Sequence, residues 1–409
     1  MWSPSLPFKF SNSCKTNKVD TILKSYQDEI MNSVQEECGT KIKITNDMID
    51  DQINQWHFHN NIEAINSKQD MITTPTLLVH GYAASSMAYH RNFQTLSRGI
   101  KDLYAIDLPS NGLSSHIPLQ RIPSTSNLKY KIMKDDDSKK VKDESGMKIS
   151  VTHDWESRDS QWEMINYYED YFIDSIEKWR QWNHIEKFNL VGHSFGGYIS
   201  AKYALKYPNH INKLALLSPL GVERNICSLH NVENGMKPLH KGDVVTINDS
   251  DPTSPYYARN FTIPSILFNN QLNVLRWMGP VGGKLARGFI DRRYSNIPNP
   301  TYREYLYRVF YKSNIPFGSA NILALTHLFT REMNAKDPLL DNCKNLKPKN
   351  IMMAYGTEDW MNREAGYAMT QNLNKLGHNA HYVEVPSAGH NLFLDNPKNF
   401  DKTLIKFLS

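Results

Sequence analysis

Phe188–Val191 reads as a short buried strand, and Tyr198–Leu205 reads as a helix closed by Pro208. Between them lies only Gly192-His193-Ser194-Phe195-Gly196-Gly197. A chain that passes from strand to helix in so few residues must turn sharply. Glycines around the serine let neighbouring backbones close in. Such a turn strains the serine, lifts its Oγ above the sheet and aims a helix N-terminus at whatever the hydroxyl meets. The G-x-S-x-G spacing alone recurs by chance. The strand before it and the helix after it are the context that a nucleophilic serine requires, and an incidental serine in a glycine-rich loop would leave both unexplained.

The rest of the chain repeats the same rhythm. Asn54–Phe58 reads as a first strand, and Thr76–Val79, Leu103–Ile106, Leu214–Leu217, Ile351–Tyr355 and Tyr382–Val385 as further ones. Ile165, Tyr168, Phe172, Ile176 and Trp179 recur at spacings of three and four, which marks an amphipathic helix. Strands alternating with helices predict an α/β fold, a mostly parallel central sheet with helices on both faces. Residues 1–50 read as an N-terminal arm, 51–221 and 347–409 as two parts of one core, and 222–346 as an inserted, partly helical cap. A surface insertion is expected at about 124–157, around the charged run Lys134–Lys140. Residues 1–19 carry Lys9, Lys15 and Lys18, with no arginine, and Pro4 and Pro7 oppose an early helix. A disordered or peripheral arm is preferred there over a cleaved mitochondrial targeting sequence, and the apolar region of a secretory signal is missing.

Composition excludes several classes. No window of about 18 apolar residues exists, so no transmembrane helix is expected. Cys14, Cys38, Cys227 and Cys343 lie far apart, with no C-x-x-C pair. That argues against a disulfide scaffold and a zinc site, predicts no metal, and fits a reducing intracellular compartment. The net charge of +5 allows an anionic partner without naming one.

A serine hydroxyl needs a base to take its proton, and the expected chain order is Ser, then Asp or Glu, then His. Asp359 follows the strand Ile351–Tyr355, and His390 follows Tyr382–Val385. Both fall just past the C-terminal ends of strands, where open α/β sheets carry their sites. His390 would accept the proton of Ser194 and Asp359 would orient the imidazole, with the adjacent Glu358 as the rival acid. The backbone N–H groups of Tyr82 and Phe195 are the expected oxyanion donors, and His80 is read as a structural support for its loop.

These stretches resemble a known family. His80-Gly81-Tyr82-Ala83-Ala84-Ser85-Ser86, Asp107-Leu108-Pro109, the Ser194 turn, Ser218-Pro219-Leu220-Gly221, Asn273–Pro280, Asp359-Trp360-Met361 and Gly389–Asp395 together look like the α/β-hydrolase fold. Within it they are similar to the subgroup of fungal lysophosphatidic acid acyltransferases and cardiolipin deacylases. The resemblance covers the chain from about Asn54 onward. It implies acyl-CoA-dependent acylation of lysophosphatidic acid, with acyl-CoA as co-substrate and no bound cofactor. It also implies that His390 and Asp395, an H-x4-D motif, carry acyl transfer to a glycerolipid hydroxyl, a role that competes with Asp359 for the same imidazole. Ser110-Asn111 stands where many relatives have a glycine, a departure confined to one turn. The implied location is cytoplasmic with peripheral membrane or lipid-droplet contact, the mitochondrion being the alternative.

From Arg276 to Lys312 eight Lys or Arg face only two acids, Asp291 and Glu304, with Trp277, Met278, Phe289 and Tyr294 interleaved. Arg276, Lys284, Arg287, Arg292 and Arg293 are therefore candidate contacts for anionic lipid. A solvated basic face is the plainer reading. Nucleic acid is not expected, since no reader motif accompanies the charge. Three functions compete: the acyltransferase, a phospholipase using water as acceptor, and a non-catalytic lipid-surface adaptor that the intact Ser194, Asp359 and His390 argue against.

Overall fold

The computed structural model describes residues 21–61, 71–119, 128–133, 148–154, 158–259, 261–312 and 319–409. The chain opens with helix α1 (Thr21–Cys38), strands β1 (Ile42–Ile49), β2 (Ile53–Asn60) and β3 (Thr76–Val79), helix α2 (Phe93–Gly99) and strand β4 (Asp102–Ile106). Strands β5 (Lys129–Ile132) and β6 (Lys148–His153) precede the long helix α3 (Arg158–Trp182), then β7 (Phe188–His193), α4 (Phe195–Lys206) and β8 (Ile211–Leu217). Next come β9 (Val244–Thr246) and five helices: α5 (Ser265–Asn270), α6 (Leu272–Trp277), α7 (Gly279–Arg293), α8 (Pro300–Tyr307) and α9 (Ser319–Leu328). The chain closes with β10 (Asn350–Gly356), α10 (Arg363–Lys375), β11 (Asn379–Val385), α11 (Leu392–Asp395) and α12 (Pro397–Leu408).

Eight strands form one sheet in the order β1-β2-β4-β3-β7-β8-β10-β11. Strand β2 runs antiparallel to β1 and β4, and every other neighbouring pair is parallel. The central strands read as unbroken apolar runs because both faces are covered. Leu77, Leu190, Leu214 and Met353 pack with helices α3, α4, α9 and α10. Leu78, Val191, Ala215 and Met352 face the other way, against α1, α2, α8 and α12. This alternation places the chain in the expected α/β architecture.

Residues 21–50 are not a peripheral arm, which corrects the sequence reading there; residues 1–19, the candidate targeting segment, lie outside the described residues. Strand β1 pairs with β2 along its whole length. Helix α1 buries Leu23, Gln27, Ile30, Met31 and Val34. The buried Gln27 amide is a junction: it accepts from Trp56 Nε1 at 3.1 Å and donates to the Tyr305 hydroxyl at 3.0 Å. Tyr305 in turn donates to Ser85 Oγ at 2.7 Å. The N-terminal helix thereby ties a cap helix to the loop after β3. Gln27→Ala leaves the buried indole N–H without its acceptor, so a loss of about 1–3 kcal/mol is expected in urea unfolding.

Strands β5 and β6 flank the charged run Lys134–Lys140, which lies outside the described residues. Together with β9 they make a separate three-stranded sheet over a small core of Leu128, Ile149, Val151, Ile226 and Ile247. The insertion is thus paired with a strand that follows β8.

Candidate active site

Ser194 sits between β7 and α4 with φ +54° and ψ −117°, a strained conformation for a residue with a side chain. Its backbone is held on both sides. Its N–H donates to Leu217 O at 2.9 Å, and its carbonyl accepts from Tyr198 and Leu220 N–H at 3.0 and 3.1 Å. Two glycines make the turn possible. A Cβ at Gly192 would collide with Ser200 and the Gly196 carbonyl, and one at Gly196 with the carbonyls of Val79 and His80.

The structure brings together the three residues singled out from chain order. Ser194 Oγ lies 3.0 Å from His390 Nε2, and His390 Nδ1 lies 3.1 Å from Asp359 Oδ1. A carboxylate can only accept, so Nδ1 carries the proton and Nε2 is left to receive one from the serine. The Asp359 side chain is shut off from solvent. Burial alone would raise its pKa, but the hydrogen bond and charge of His390, helped by the Met361 N–H, hold it below the ordinary carboxylate value. Both ring nitrogens of His390 are engaged, which leaves no place on it for Glu358; that side chain is exposed at the cavity wall.

Asp395 does not reach the imidazole either. Its Oδ2 accepts from Gly389 N–H at 3.0 Å, and its carboxylate pairs with both terminal nitrogens of Arg293 at 3.2 and 3.3 Å. The acid of the H-x4-D motif thus anchors the loop that carries His390 and ties it to helix α7 of the cap.

Ser194 opens into a cavity of about 600 Å³, walled by Gly81, Tyr82, Phe289, Arg293, Trp360 and neighbours. Phe195 is the first residue of α4, and a first-turn N–H has no acceptor within its own helix. The Tyr82 and Phe195 rings meet edge to face at 6.4 Å. His80 has the supporting part expected of it. Its Nε2 accepts from Leu108 N–H at 2.9 Å, so its proton sits on Nδ1 and is donated to Gly81 O at 2.7 Å. The Ser110 turn adopts φ +62°, the left-handed conformation a glycine would take without strain.

Two contributors escaped the sequence reading. His193, the variable position before the serine, directs Nε2 at the His390 carbonyl oxygen at 2.9 Å and donates to it. Burial, reinforced by the His390 charge, lowers its pKa to about 3, so it stays neutral and keeps this geometry. Trp360, an exposed side chain next to Asp359, lies with its ring 5.0 Å from that of His390. The G-x-S-x-G and Asp359-Trp360 stretches contain both residues, but no spacing in the sequence announces either contact.

The five basic candidates separate. Arg287 is bonded to both oxygens of Glu304 at 2.5 and 2.8 Å and stacked 4.1 Å over Tyr307. Arg276 is turned onto Asn273 Oδ1 and Val309 O, and Arg293 holds Asp395. Lys284 and Arg292 are exposed. Among the described residues, His57, His59 and Asp102 stand close enough to hold a metal ion. Asp102 starts β4 and the two histidines lie beside it on β2, at the end of the sheet opposite Ser194, and Asp102 Oδ1 bonds both rings at 2.9 and 2.7 Å. No described helix is long and apolar enough to cross a membrane.

Comparison with known proteins agrees with this architecture. A family profile described as alpha/beta hydrolase fold matches residues 74–239. The chain is 43% identical over 390 residues to 1-acylglycerol-3-phosphate O-acyltransferase ICT1 of Saccharomyces cerevisiae, covering 95% of this chain and 92% of that one. It is 42% identical over 406 residues to protein ECM18 of the same yeast, covering 98% and 84%. Among solved structures, the naproxen esterase of Bacillus subtilis superposes with a TM-score of 0.51 at 12% identity over 96% of this chain and 99% of that one, a likeness of fold. By its sheet order, its strand–serine–helix turn and its identity with ICT1 along nearly its whole length, the chain belongs to the α/β-hydrolase-fold family, in the group that includes that acyltransferase.

Proposed function

We propose that this protein is an acyl-CoA-dependent 1-acylglycerol-3-phosphate O-acyltransferase that makes phosphatidic acid. The observation that carries the reading is the 43% identity with ICT1 across 95% of the chain. The geometry around Ser194 supplies a way to do the chemistry. Ser194 Oγ attacks the thioester carbonyl as its proton passes to His390 Nε2. The carbon–sulfur bond breaks, and the CoA thiolate leaves with that proton. The free hydroxyl of the lysolipid then attacks the acyl-serine, giving its proton to His390. The new ester departs and the proton returns to Ser194. Through both steps Asp359 faces the imidazolium, and the N–H groups of Tyr82 and Phe195 face the carbonyl oxygen. No cofactor is needed for these steps.

Water in place of the lysolipid would turn the same steps into phospholipase chemistry, cardiolipin deacylation included. The exclusion of water from the acyl-serine decides the outcome. Incubation of the purified protein with labelled acyl-CoA and a panel of lysophospholipids separates the two. Label should pass into phosphatidic acid faster than into free fatty acid. Release of fatty acid at the same rate with and without lysolipid would overturn the transferase reading. This reading includes an intracellular setting, cytoplasmic or mitochondrial, with peripheral contact to an anionic membrane or lipid droplet.

Arg293 is the arginine in the wall of the Ser194 cavity, and a phosphomonoester is matched by a guanidinium. Arg293→Gln should raise KM for lysophosphatidic acid about tenfold, the worth of one charge-assisted hydrogen bond, and raise KM for an uncharged monoacylglycerol far less. Steady-state kinetics with the two acceptors checks this.

A further inference from the structure

Helix α7 is packed inside out. It buries Gly282, Gly283, Ala286 and Ile290. A Cβ at Gly282 would run into the Leu275 carbonyl, and one at Gly283 into the ring of Tyr311. The helix therefore lies against α6 and residues 308–312 through its smallest side chains. Of its four large apolar side chains only Ile290 turns inward: Val281, Leu285 and Phe289 are 58, 52 and 50% exposed. Spaced four residues apart, they stay on one face of the helix. Trp277 and Met278 extend the apolar surface from the preceding turn, Trp277 at 65% exposure. A water-facing helix ordinarily does the reverse, and a contiguous apolar patch marks a surface that something covers.

Two further observations indicate what covers it. Lys284 borders the stripe, and Arg292 follows Phe289 by three residues on the same face; both are exposed, so cations stand beside apolar side chains. The stripe also runs into the cavity of Ser194, since Phe289 and Arg293 belong both to α7 and to the cavity wall. From these we infer that α7, with the end of α6, docks on an anionic phospholipid bilayer. Trp277, Met278, Val281 and Leu285 enter the interfacial layer, Lys284 and Arg292 meet headgroup phosphates, and Phe289 leads an acyl chain from the bilayer to Ser194. The inference rests on the lipid-acyltransferase reading for its choice of partner. It moves the docking role from the arginines that the sequence suggests, two of which are paired with Glu304 and with Asp395 at the cavity wall, to the apolar face between them.

The test uses the full chain carrying Ser194→Ala, so that binding is read without turnover. Sedimentation with vesicles of phosphatidylcholine containing phosphatidic acid should recover most of the protein, and vesicles of phosphatidylcholine alone much less. Val281→Asp with Leu285→Asp should lower the partition coefficient at least about tenfold, because interfacial binding scales with apolar area buried. The milder Leu285→Ser serves if the double variant fails to fold, judged by circular dichroism, and should give a smaller loss in the same direction. With Ser194 restored, hydrolysis of a soluble p-nitrophenyl ester should be the same with and without the stripe changes. Unchanged sedimentation of the stripe variants would overturn the inference. So would a vesicle-free dimer that the same changes dissolve, since a second copy would then be the occupant. An enzyme that binds vesicles through the stripe yet acylates no lysolipid would uphold the docking surface and reject the activity.

Discussion

Ser194→Ala should abolish covalent labelling by a fluorophosphonate and lower acyl transfer at least about 10³-fold, with no loss of fold. The size follows from the role proposed for the hydroxyl: without Oγ there is no acyl-enzyme, and only binding and oxyanion stabilisation remain. The fold should survive because the residue's structural duties belong to its backbone. Its N–H and carbonyl make the bonds to Leu217, Tyr198 and Leu220, and alanine retains them. Its hydroxyl is bonded to His390, a partner the imidazole can replace with water from the cavity. Mass spectrometry after probe treatment reads the label, and circular dichroism reads the fold. Equal labelling of parent and variant would assign the nucleophile elsewhere.

What the sequence discloses follows from where burial leaves a mark. Strands β3, β4, β7, β8 and β10 are covered on both faces, so they appear as apolar runs and are found within a few residues of their true bounds. Strand β1 lies at the sheet edge with most of its side chains at least partly exposed, and Ile-Lys-Ile-Thr-Asn-Asp-Met-Ile carries no such run. Helix α1 is polar on average, and one of its most buried side chains is Gln27, held by hydrogen bonds rather than by apolarity. Ser194, Asp359 and His390 are legible because each stands at a strand end and the order of the three is constrained. His193 is not, since its role is a bond to a residue 197 positions away. Charge in the cap misleads for a related reason. Counting arginines gives the sign of the segment but not its partners, and Asp395 comes from 102 residues beyond Arg293.

The two acids near His390 can be told apart by paired amide substitutions. Asp359→Asn preserves shape while removing the carboxylate that keeps a proton on Nδ1. The amide can then donate to Nδ1, the proton moves to Nε2, and the nitrogen facing Ser194 can no longer accept. A fall of about 10⁴ in kcat is expected, as for an imidazole held in the wrong tautomer. His390→Ala should do at least as much harm, since transferase and hydrolase steps draw on the same base. Asp395→Asn is a different change. Its amide oxygen can still receive the Gly389 N–H, so the His390 loop keeps its anchor, and only the charge facing Arg293 is lost. That pair is partly open to solvent, where ion pairs are weak, so a fall of about tenfold or less is expected. Transfer and soluble-ester hydrolysis measured on both variants decide the matter. If Asp359→Asn were silent and Asp395→Asn severe, the acid of the H-x4-D motif would be the partner of His390 during turnover, and the cap would have to release Arg293 for that to happen.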